Sequence, residues 1–478
     1  MATRLTTQDA SFYFLEASTT PMHLGSLAIL EAPEGGLDYE DLLSHVERRL
    51  PLVPRYRQRV REVAFGLARP VWVDDRDFDI TYHVRRSALP KPGSDEQLHD
   101  LVARLTSRPL DRTRPLWEMY LVEGLADNRI AIFTKSHSSL VDGANALEIN
   151  QVILDPTLEP REVAEELWMP SREPREAELV LDAVAEMIAR PSEGAATIRM
   201  VLGDLVGEAT KAIGNVAAVV RTAATTAPST PLNATISRNR RFATVTTDLD
   251  DYRTIRGKFG CTVNDAILAV LTGALRNWLL SRGEPVTAFS SVRALVPIAV
   301  YVTGEGAAEA VDPEVDPAER DTLRESAERR VFSWLIDLPV GEPNPVVRLS
   351  HIAHASEAHA KQSRTVNAQT LVRMSGTAPA TLHAMGLRVA SGLSQRMFNL
   401  VITNAPGPRT PLYLDNAKLL EMYPVSPLLR NQALSVGLTS YDGHVYYGLN
   451  GDRDAMSDVD VVAALLYEAL EELLDASR

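Results

Sequence analysis

The sequence predicts a two-domain α/β protein whose domains are joined by a helical linker. With 478 residues the chain is too long for one ordinary hydrophobic core, and its apolar content of 45% is typical of a globular protein. Strand and helix patterns alternate up to about residue 160 and again from about residue 240, and a stretch rich in Ala, Glu and Val separates them. We therefore expect an N-terminal domain over residues 1–160, a linker over 161–238 and a C-terminal domain over 239–478.

Apolar periodicity places the elements of the first domain. We expect strands at Leu24–Leu30, Trp117–Val122 and Ile130–Lys135, an extended segment at Val71–Tyr82, and helices at Asp38–Leu50 and Gln97–Thr106.

Apolar residues at helical spacing predict a long amphipathic helix in the linker. The stripe consists of Ile198, Val201, Leu205, Ala209, Ala212, Val216 and Val219. It either packs on the protein's own domains or docks on a membrane surface. The mixed-sign, rather acidic polar side of this helix favours packing.

The second domain repeats the alternation of strands and helices. We expect strands at Ala243–Leu249, Ala294–Val300, Leu400–Thr403 and Val445–Leu449, and helices at Thr262–Leu280 and Val459–Leu474. Thr262 and Asp265 have the spacing of a capping box at the start of the first helix. The acidic segment 303–330 is predicted to be a solvated loop or a short surface helix.

Composition excludes several classes of protein. A net charge of −14, without a run of Lys and Arg, argues against a nucleic-acid partner. The single cysteine, Cys261, excludes an intrachain disulfide and fits a reducing compartment. Neither a secretory signal nor a membrane-spanning stretch is evident, so we expect a cytoplasmic protein that would meet lipid substrates from the cytoplasmic side.

Residues 135–143 read Lys-Ser-His-Ser-Ser-Leu-Val-Asp-Gly and hold the candidate catalytic groups. His137 has the side chain usually chosen as a general base, whereas the Ser138 hydroxyl holds its proton too tightly to act unaided. If the preceding strand continues, residues 137 and 138 point to opposite faces. Asp142 is a turn carboxylate, and Gly143 permits a backbone conformation that other residues avoid.

This run resembles the His-His-x-x-x-Asp-Gly motif of the bacterial wax ester synthase/diacylglycerol acyltransferase family, whose second His is the catalytic base. Ser138 occupies that position here. Further segments resemble the family's motifs in the family's order: Thr20–Gly25, Arg114–Trp117, Val263–Asp265, Arg293–Pro297, Leu338–Val340, Thr403–Pro408 and Gly451–Arg453.

The resemblance implies two chloramphenicol-acetyltransferase-like, CoA-dependent acyltransferase domains with a tunnel between them. Acyl-CoA would enter from one side and diacylglycerol or a long-chain alcohol from the other. Asp142 would organise the motif through an ion pair. The candidate substrate-binding residues are Gly143, Asn264, Asp265 and Asn404, with a helix-start cap as the alternative role of Asn264 and Asp265.

The expected function is O-acyl transfer from acyl-CoA to diacylglycerol or a fatty alcohol, with weak activity because Ser138 replaces the base. His137, or a water held by Ser138, would accept the proton. We expect neither a metal nor a redox cofactor, and peripheral contact with the inner membrane or with lipid droplets is an expectation that follows from the substrates. The alternative function is a non-catalytic relative that binds acyl-CoA or lipid, or that pairs with an active paralogue.

Overall fold

The computed structural model describes residues 3–33, 36–64, 68–141, 149–164, 167–189, 227–303, 307–310, 328–363 and 397–478. The strands are β1 Thr3–Arg4, β2 His23–Glu31, β3 Gln58–Arg61, β4 Val71–Asp74, β5 Val84–Ala88, β6 Trp117–Glu123, β7 Arg129–His137, β8 Arg240–Asp248, β9 Val292–Thr303, β10 Ala307–Ala310, β11 Glu328–Leu338, β12 Leu400–Pro406, β13 Tyr413–Leu414, β14 Ala417–Val425, β15 Leu434–Tyr441 and β16 His444–Asp452.

The helices confirm most of the predicted helical segments. They are α1 Thr7–Leu15, α2 Tyr39–Arg49, α3 Ile80–His83, α4 Asp95–Ser107, α5 Ser138–Val141, α6 Ile149–Ile153, α7 Glu176–Ala189, α8 Leu249–Phe259, α9 Val263–Ser281, α10 Pro345–Ser363 and α11 Val459–Ser477, with 3₁₀ turns at Leu50–Leu52 and Pro54–Arg57.

The N-terminal sheet has six strands in the order β13-β14-β2-β7-β6-β5. β7 lies in its middle, and every residue of β7 after Arg129 is buried. Both faces of this strand are therefore covered, which accounts for the apolar run Ile130–Phe133 in its first half. A strand held on both edges and both faces is a rigid support for the segment that follows it.

The C-terminal sheet has seven strands, with the order β10-β9-β12-β15-β16-β8 and β11 also paired to β9. β12 runs parallel to β9 and to β15, and the other pairings are antiparallel. α9 and α11 belong to the same hydrophobic core as this sheet, and Trp278 of α9 is 1% exposed.

One part of the C-terminal sequence completes the N-terminal sheet. β14 pairs with β2 in antiparallel register, from Leu419 opposite Leu30 to Val425 opposite Gly25. A Cβ on Gly25 would lie 3.2 Å from Val425 Cβ, so glycine permits this close approach. The domain boundaries predicted at residues 160 and 239 stay a prediction. Residues 413–425 come from the C-terminal part of the sequence but belong to the N-terminal sheet.

Side chains of β8, in the C-terminal sheet, also contact α4 and β14 of the N-terminal part of the fold. His99 of α4 lies 3.1 Å from the Thr244 hydroxyl of β8, and the hydroxyls of Tyr423 and Thr246 are 2.8 Å apart. Arg240 pairs with Asp452 at 3.4 Å inside the C-terminal half.

Two expectations differ from the structure, and a third falls outside the described residues. Only Val71–Asp74 of the segment 71–82 is a strand, because Asp79 caps the short α3 by accepting the Thr81 N–H at 2.9 Å. Residues 307–310 and 328–330, predicted as loop or surface helix, are strands paired with β9. The predicted linker stripe 198–219 lies outside the described residues.

Among the described residues, none of the helices is by itself long and apolar enough to cross a membrane. Taken together, α8 and α9 have the length and apolar composition of a membrane span, but the chain bends by 104° between them.

Candidate functional site

The motif lies where the chain leaves the N-terminal sheet. β7 ends at His137, and α5 begins at Ser138. The His137 N–H donates to the carbonyl of Leu116 at 2.9 Å, and the Ser138 N–H donates to the carbonyl of Met22 at 2.8 Å. The backbone at the motif is therefore held from both sides, which limits how far either side chain can shift.

His137 is a buried, neutral imidazole. Its side chain is 1% exposed, and Nδ1 accepts a hydrogen bond from the Ser139 N–H at 3.1 Å. The neutral ring therefore carries its proton on Nε2, which lies 3.8 Å from Glu16 Oε2. Burial lowers the pKa of His137 to about 3, because an imidazolium there would lose its hydration.

Glu16 is the centre of a polar group that we call the Glu16 cluster: Tyr13, Glu16, His23, Arg112 and His137. Tyr13, His23 and His137 are buried, whereas Arg112 lies at the exposed edge of the cluster. Arg112 donates to Glu16 Oε2 from Nε at 2.9 Å and from Nη2 at 2.6 Å, and His23 Nε2 lies 3.2 Å from Glu16 Oε1. Burial by itself would raise the pKa of Glu16, but the contact with His23 and the hydrogen bonds from Arg112 favour its ionised form and hold the pKa below its usual range. The cluster therefore holds a carboxylate directly beside the motif.

Ser138 is tied to the backbone of the neighbouring strand segment. Its side chain is buried, and its hydroxyl donates to the carbonyl of Met22 at 3.0 Å. A hydroxyl in this arrangement keeps its oxygen lone pairs for accepting hydrogen bonds. It can orient an O–H group or a water, but it cannot remove a proton as an imidazole would.

The geometry around the motif bears on the predicted role of His137. The lone pair of His137 Nδ1 faces the Ser139 amide and Nε2 carries the proton, so this arrangement does not favour His137 as a base. That role stays a prediction. Asp142 and Gly143 lie outside the described residues, and their roles as organiser and turn also stay predictions.

The candidate residues of the C-terminal half lie at the start of α9 and on β12. Asn404 donates to the side-chain oxygen of Asn264 at 3.0 Å, so these two candidates are in contact. Asp265 completes the predicted capping box, which is confirmed: Thr262 N–H donates to Asp265 Oδ2 at 3.0 Å. Ser356 donates to the other oxygen of Asp265 at 2.6 Å. Both carboxylate oxygens of Asp265 are thus engaged in structural bonds, and its substrate-binding role stays a prediction.

Apart from His137, the Glu16 cluster was not predicted from the sequence. Glu16 and Arg112 are 96 residues apart and neither belongs to a recognisable pattern. The nearest available signal was His23, which lies in the segment Thr20–Gly25 and pairs in register with His137.

Acidification is expected to weaken the fold through His137. Its pKa is about 3 in the folded chain and 6.5 in the reference state, so the unfolded chain takes up the proton first as the pH falls. The stability that the neutral ring contributes is complete above about pH 6.5 and is lost between about pH 6.5 and 3, by at most about 1.4 kcal/mol per pH unit. Urea unfolding at pH 7.5, 6 and 5 measures this slope.

His137→Asn keeps an acceptor for the Ser139 amide and removes the titrating ring. The free energy of unfolding of this variant should therefore change less steeply with pH than that of the wild type. His351→Asn, at an exposed position of α10, is the matched control and should keep the slope of the wild type. Equal slopes in all three proteins would contradict a buried neutral His137.

The two-sheet fold, with its motif at the end of a central strand, defines a CoA-dependent acyltransferase architecture. Residues 5–267 match the family model described as the wax ester synthase/diacylglycerol acyltransferase catalytic domain, and residues 330–474 match the WS/DGAT C-terminal domain. The chain therefore belongs to the wax ester synthase/diacylglycerol acyltransferase family.

Two relatives from Mycobacterium tuberculosis H37Rv illustrate the similarity. One, named probable diacylglycerol O-acyltransferase tgs3, is 56% identical over 265 residues, which cover 55% of this chain and 98% of the relative. The other, named probable diacylglycerol O-acyltransferase tgs1, is 33% identical over 99% of this chain and 96% of its own length.

Solved structures show the same architecture. The wax ester synthase/diacylglycerol acyltransferase from Marinobacter aquaeolei VT8 matches with a TM-score of 0.69 and 28% identity, covering 99% of each chain. The first condensation domain of the CDA synthetase matches with a TM-score of 0.55 at 14% identity, over 100% of this chain and 97% of that chain, which shows a shared fold alone.

Proposed function

We propose that this protein is an O-acyltransferase that moves a fatty acyl group from acyl-CoA to diacylglycerol or a long-chain alcohol, without a histidine base at position 138. The similarity to a relative named as a diacylglycerol O-acyltransferase, over 99% of the chain, carries this proposal. The intact anchoring of the motif backbone by Leu116 and Met22 supports it.

The reaction replaces a thioester with an oxygen ester. The acceptor hydroxyl oxygen forms a bond to the acyl carbon, the carbon–sulfur bond breaks, and the hydroxyl proton ends on the released CoA thiol. Ser138, whose hydrogen is donated to Met22, would accept a hydrogen bond from the acceptor hydroxyl or from a water that relays the proton. Holding the two reactants in place supplies part of the rate without a base.

The absence of a histidine base at position 138 determines the expected rate of ester formation. A positioned general base contributes about 10²–10⁴ in rate, so the wild-type protein should be slower than a histidine-bearing form by a factor of that order. Of the two proton acceptors expected from the sequence, we propose the water held by Ser138, because the His137 Nδ1 lone pair faces the Ser139 amide.

Product analysis tests the function. The protein is incubated with palmitoyl-CoA and either a diacylglycerol or hexadecanol, and ester and free CoA are quantified by mass spectrometry. We expect ester and CoA in equal amounts, and neither acceptor omission nor heat-treated protein should yield ester. Free palmitate in place of ester would overturn the proposal. Acyl-CoA binding without any turnover would establish the alternative binding role.

Peripheral contact with a lipid surface is part of this proposal. Large apolar side chains are exposed just before and on α7: Leu167 is 89% exposed, Met169 76% and Leu181 67%. Exposed apolar side chains of this size are suited to the boundary of a lipid layer. Flotation with phosphatidylcholine vesicles should recover the wild type and recover less of a Leu167→Ser/Met169→Ser variant. Equal recovery of both proteins would contradict this contact.

A further inference from the structure

A basic groove lies at the bend between α8 and α9. It has a volume of about 540 Å³ and is lined by Arg253 and Arg256 of α8, by Gly260 and by the first residues of α9. This volume lies within the usual range for small-molecule sites. Because the protein carries a net charge of −14, a groove lined by guanidinium groups is distinct from the average surface.

Two elements bring cationic side chains to this region. Arg253 and Arg256 are three residues apart on α8 and therefore lie on one face of that helix. Arg409, in the loop after β12, lines an adjoining inner cavity together with Arg253. Arg253 also pairs with Asp250 at 2.6 Å, which orients it along the helix. Guanidinium groups bind phosphate oxygens through paired, charge-assisted hydrogen bonds.

The inner cavity connects this groove to the candidate substrate residues. It shares Arg253 and Val263 with the groove and is lined further in by Asn264 and Asn404. Its volume is about 40 Å³, and the Asn404–Asn264 hydrogen bond of 3.0 Å lies within its wall. Both asparagine side chains end in amide groups, which match the amide groups of a pantetheine chain.

We propose that this groove binds the phosphate groups of the CoA moiety of the acyl donor, with the pantetheine directed from Arg253 towards Asn264 and Asn404. This inference rests on the proposed function, because it names the place where the acyl carrier of that reaction is held. The arginines supply charge for the phosphates outside, and the asparagines supply amide hydrogen bonds further in. The phosphate ester of an anionic lipid shares this chemistry and has to be distinguished by experiment.

Binding measurements with matched probes test the proposal. Calorimetry on the full-length protein would compare CoA, 3′-dephospho-CoA and pantetheine for the wild type, Arg256→Ala, Arg409→Ala and the double variant. Each single variant should bind CoA about three- to tenfold more weakly, and the double variant about 10- to 100-fold more weakly. Pantetheine, which has no phosphate, should bind all four proteins alike. Arg104→Ala, at an exposed position of α4, is the control and should match the wild type.

The possible results of these binding measurements distinguish a wrong groove assignment from a wrong proposed function. Wild-type CoA binding that the arginine variants keep within twofold would overturn the groove assignment while leaving the acyltransferase proposal intact. Failure of the wild type to bind CoA would overturn both the inference and the proposed function, whereas arginine-dependent CoA binding without turnover would overturn the proposed function alone. If the variants lost binding to vesicles containing phosphatidic acid but kept CoA affinity, the groove would be a lipid-headgroup site and our assignment wrong. Unchanged melting temperatures in all variants would show that the losses are local.

Discussion

Replacing Ser138 by histidine is expected to raise the rate of ester formation by about 10²–10⁴-fold, because the variant regains a positioned general base. Ser138 lies at the first residue of α5, with its backbone held by Met22, so the new ring would leave the chain from a fixed point. Burial at this position would lower the pKa of the new imidazole, so the neutral, active form would predominate at pH 7.5. The gain is measured at that pH as ester formed from palmitoyl-CoA.

Ser138→Ala is the matched control for this gain. It removes the hydroxyl that would orient the acceptor or the relaying water and introduces no base, so its rate should fall below that of the wild type. A folded Ser138→His protein that is no faster than the wild type would show that position 138 is not where the acceptor hydroxyl is activated. Thermal unfolding of both variants checks that the buried position tolerates each side chain.

Replacing Lys135 by methionine is expected to destabilise the protein by about 3–5 kcal/mol, because it leaves a buried carboxylate without its main partner. Lys135 is 1% exposed, and its ammonium group lies 3.0 Å from Glu118 Oε2. It also donates to the carbonyls of Leu105 and Arg108 at 3.1 Å each. Glu118 would keep only Arg85, at 3.4 Å, as a charged partner close by. Urea unfolding at pH 7.5 measures the loss.

The double variant Lys135→Met/Glu118→Gln separates charge from packing. It removes both charges, and the amide of the new glutamine can still accept from the Tyr120 hydroxyl, which donates to Glu118 at 2.8 Å in the wild type. The double variant should be more stable than Lys135→Met alone. If Lys135→Met unfolded within about 1 kcal/mol of the wild type, the pair would contribute little to the sheet that carries the motif.

Local patterns predicted the elements that build the site. The apolar runs at 24–30 and 130–135 are β2 and β7, and the periodic segment 262–280 is α9 with its capping box. Each of these signals lies within a short stretch of sequence, because burial on fixed faces and end-capping require particular residues at particular spacings.

The long-range features could not be predicted in the same way. β14 completes the N-terminal sheet from almost 400 residues further along the chain than β2, and a single sequence holds no record of which strand edge it will meet. The Glu16 cluster could not be predicted for the same reason, because the Glu16 carboxylate and the Arg112 guanidinium come from distant segments. The serine at position 138 was visible from the motif, but its bond to the Met22 carbonyl depends on the pairing of two strands.

The pH–rate profile of the wild type shows whether acyl transfer is positioned by Ser138 without a histidine base. Ester formation would be followed from pH 5.5 to 8.5 for the wild type and for His137→Asn, over the range in which both stay folded. We expect no titration with a midpoint between pH 6 and 7 in either protein, because His137 is buried as a neutral ring with a pKa of about 3. A titration in this range that His137→Asn abolishes would show that His137 is the base and that Ser138 does not replace it.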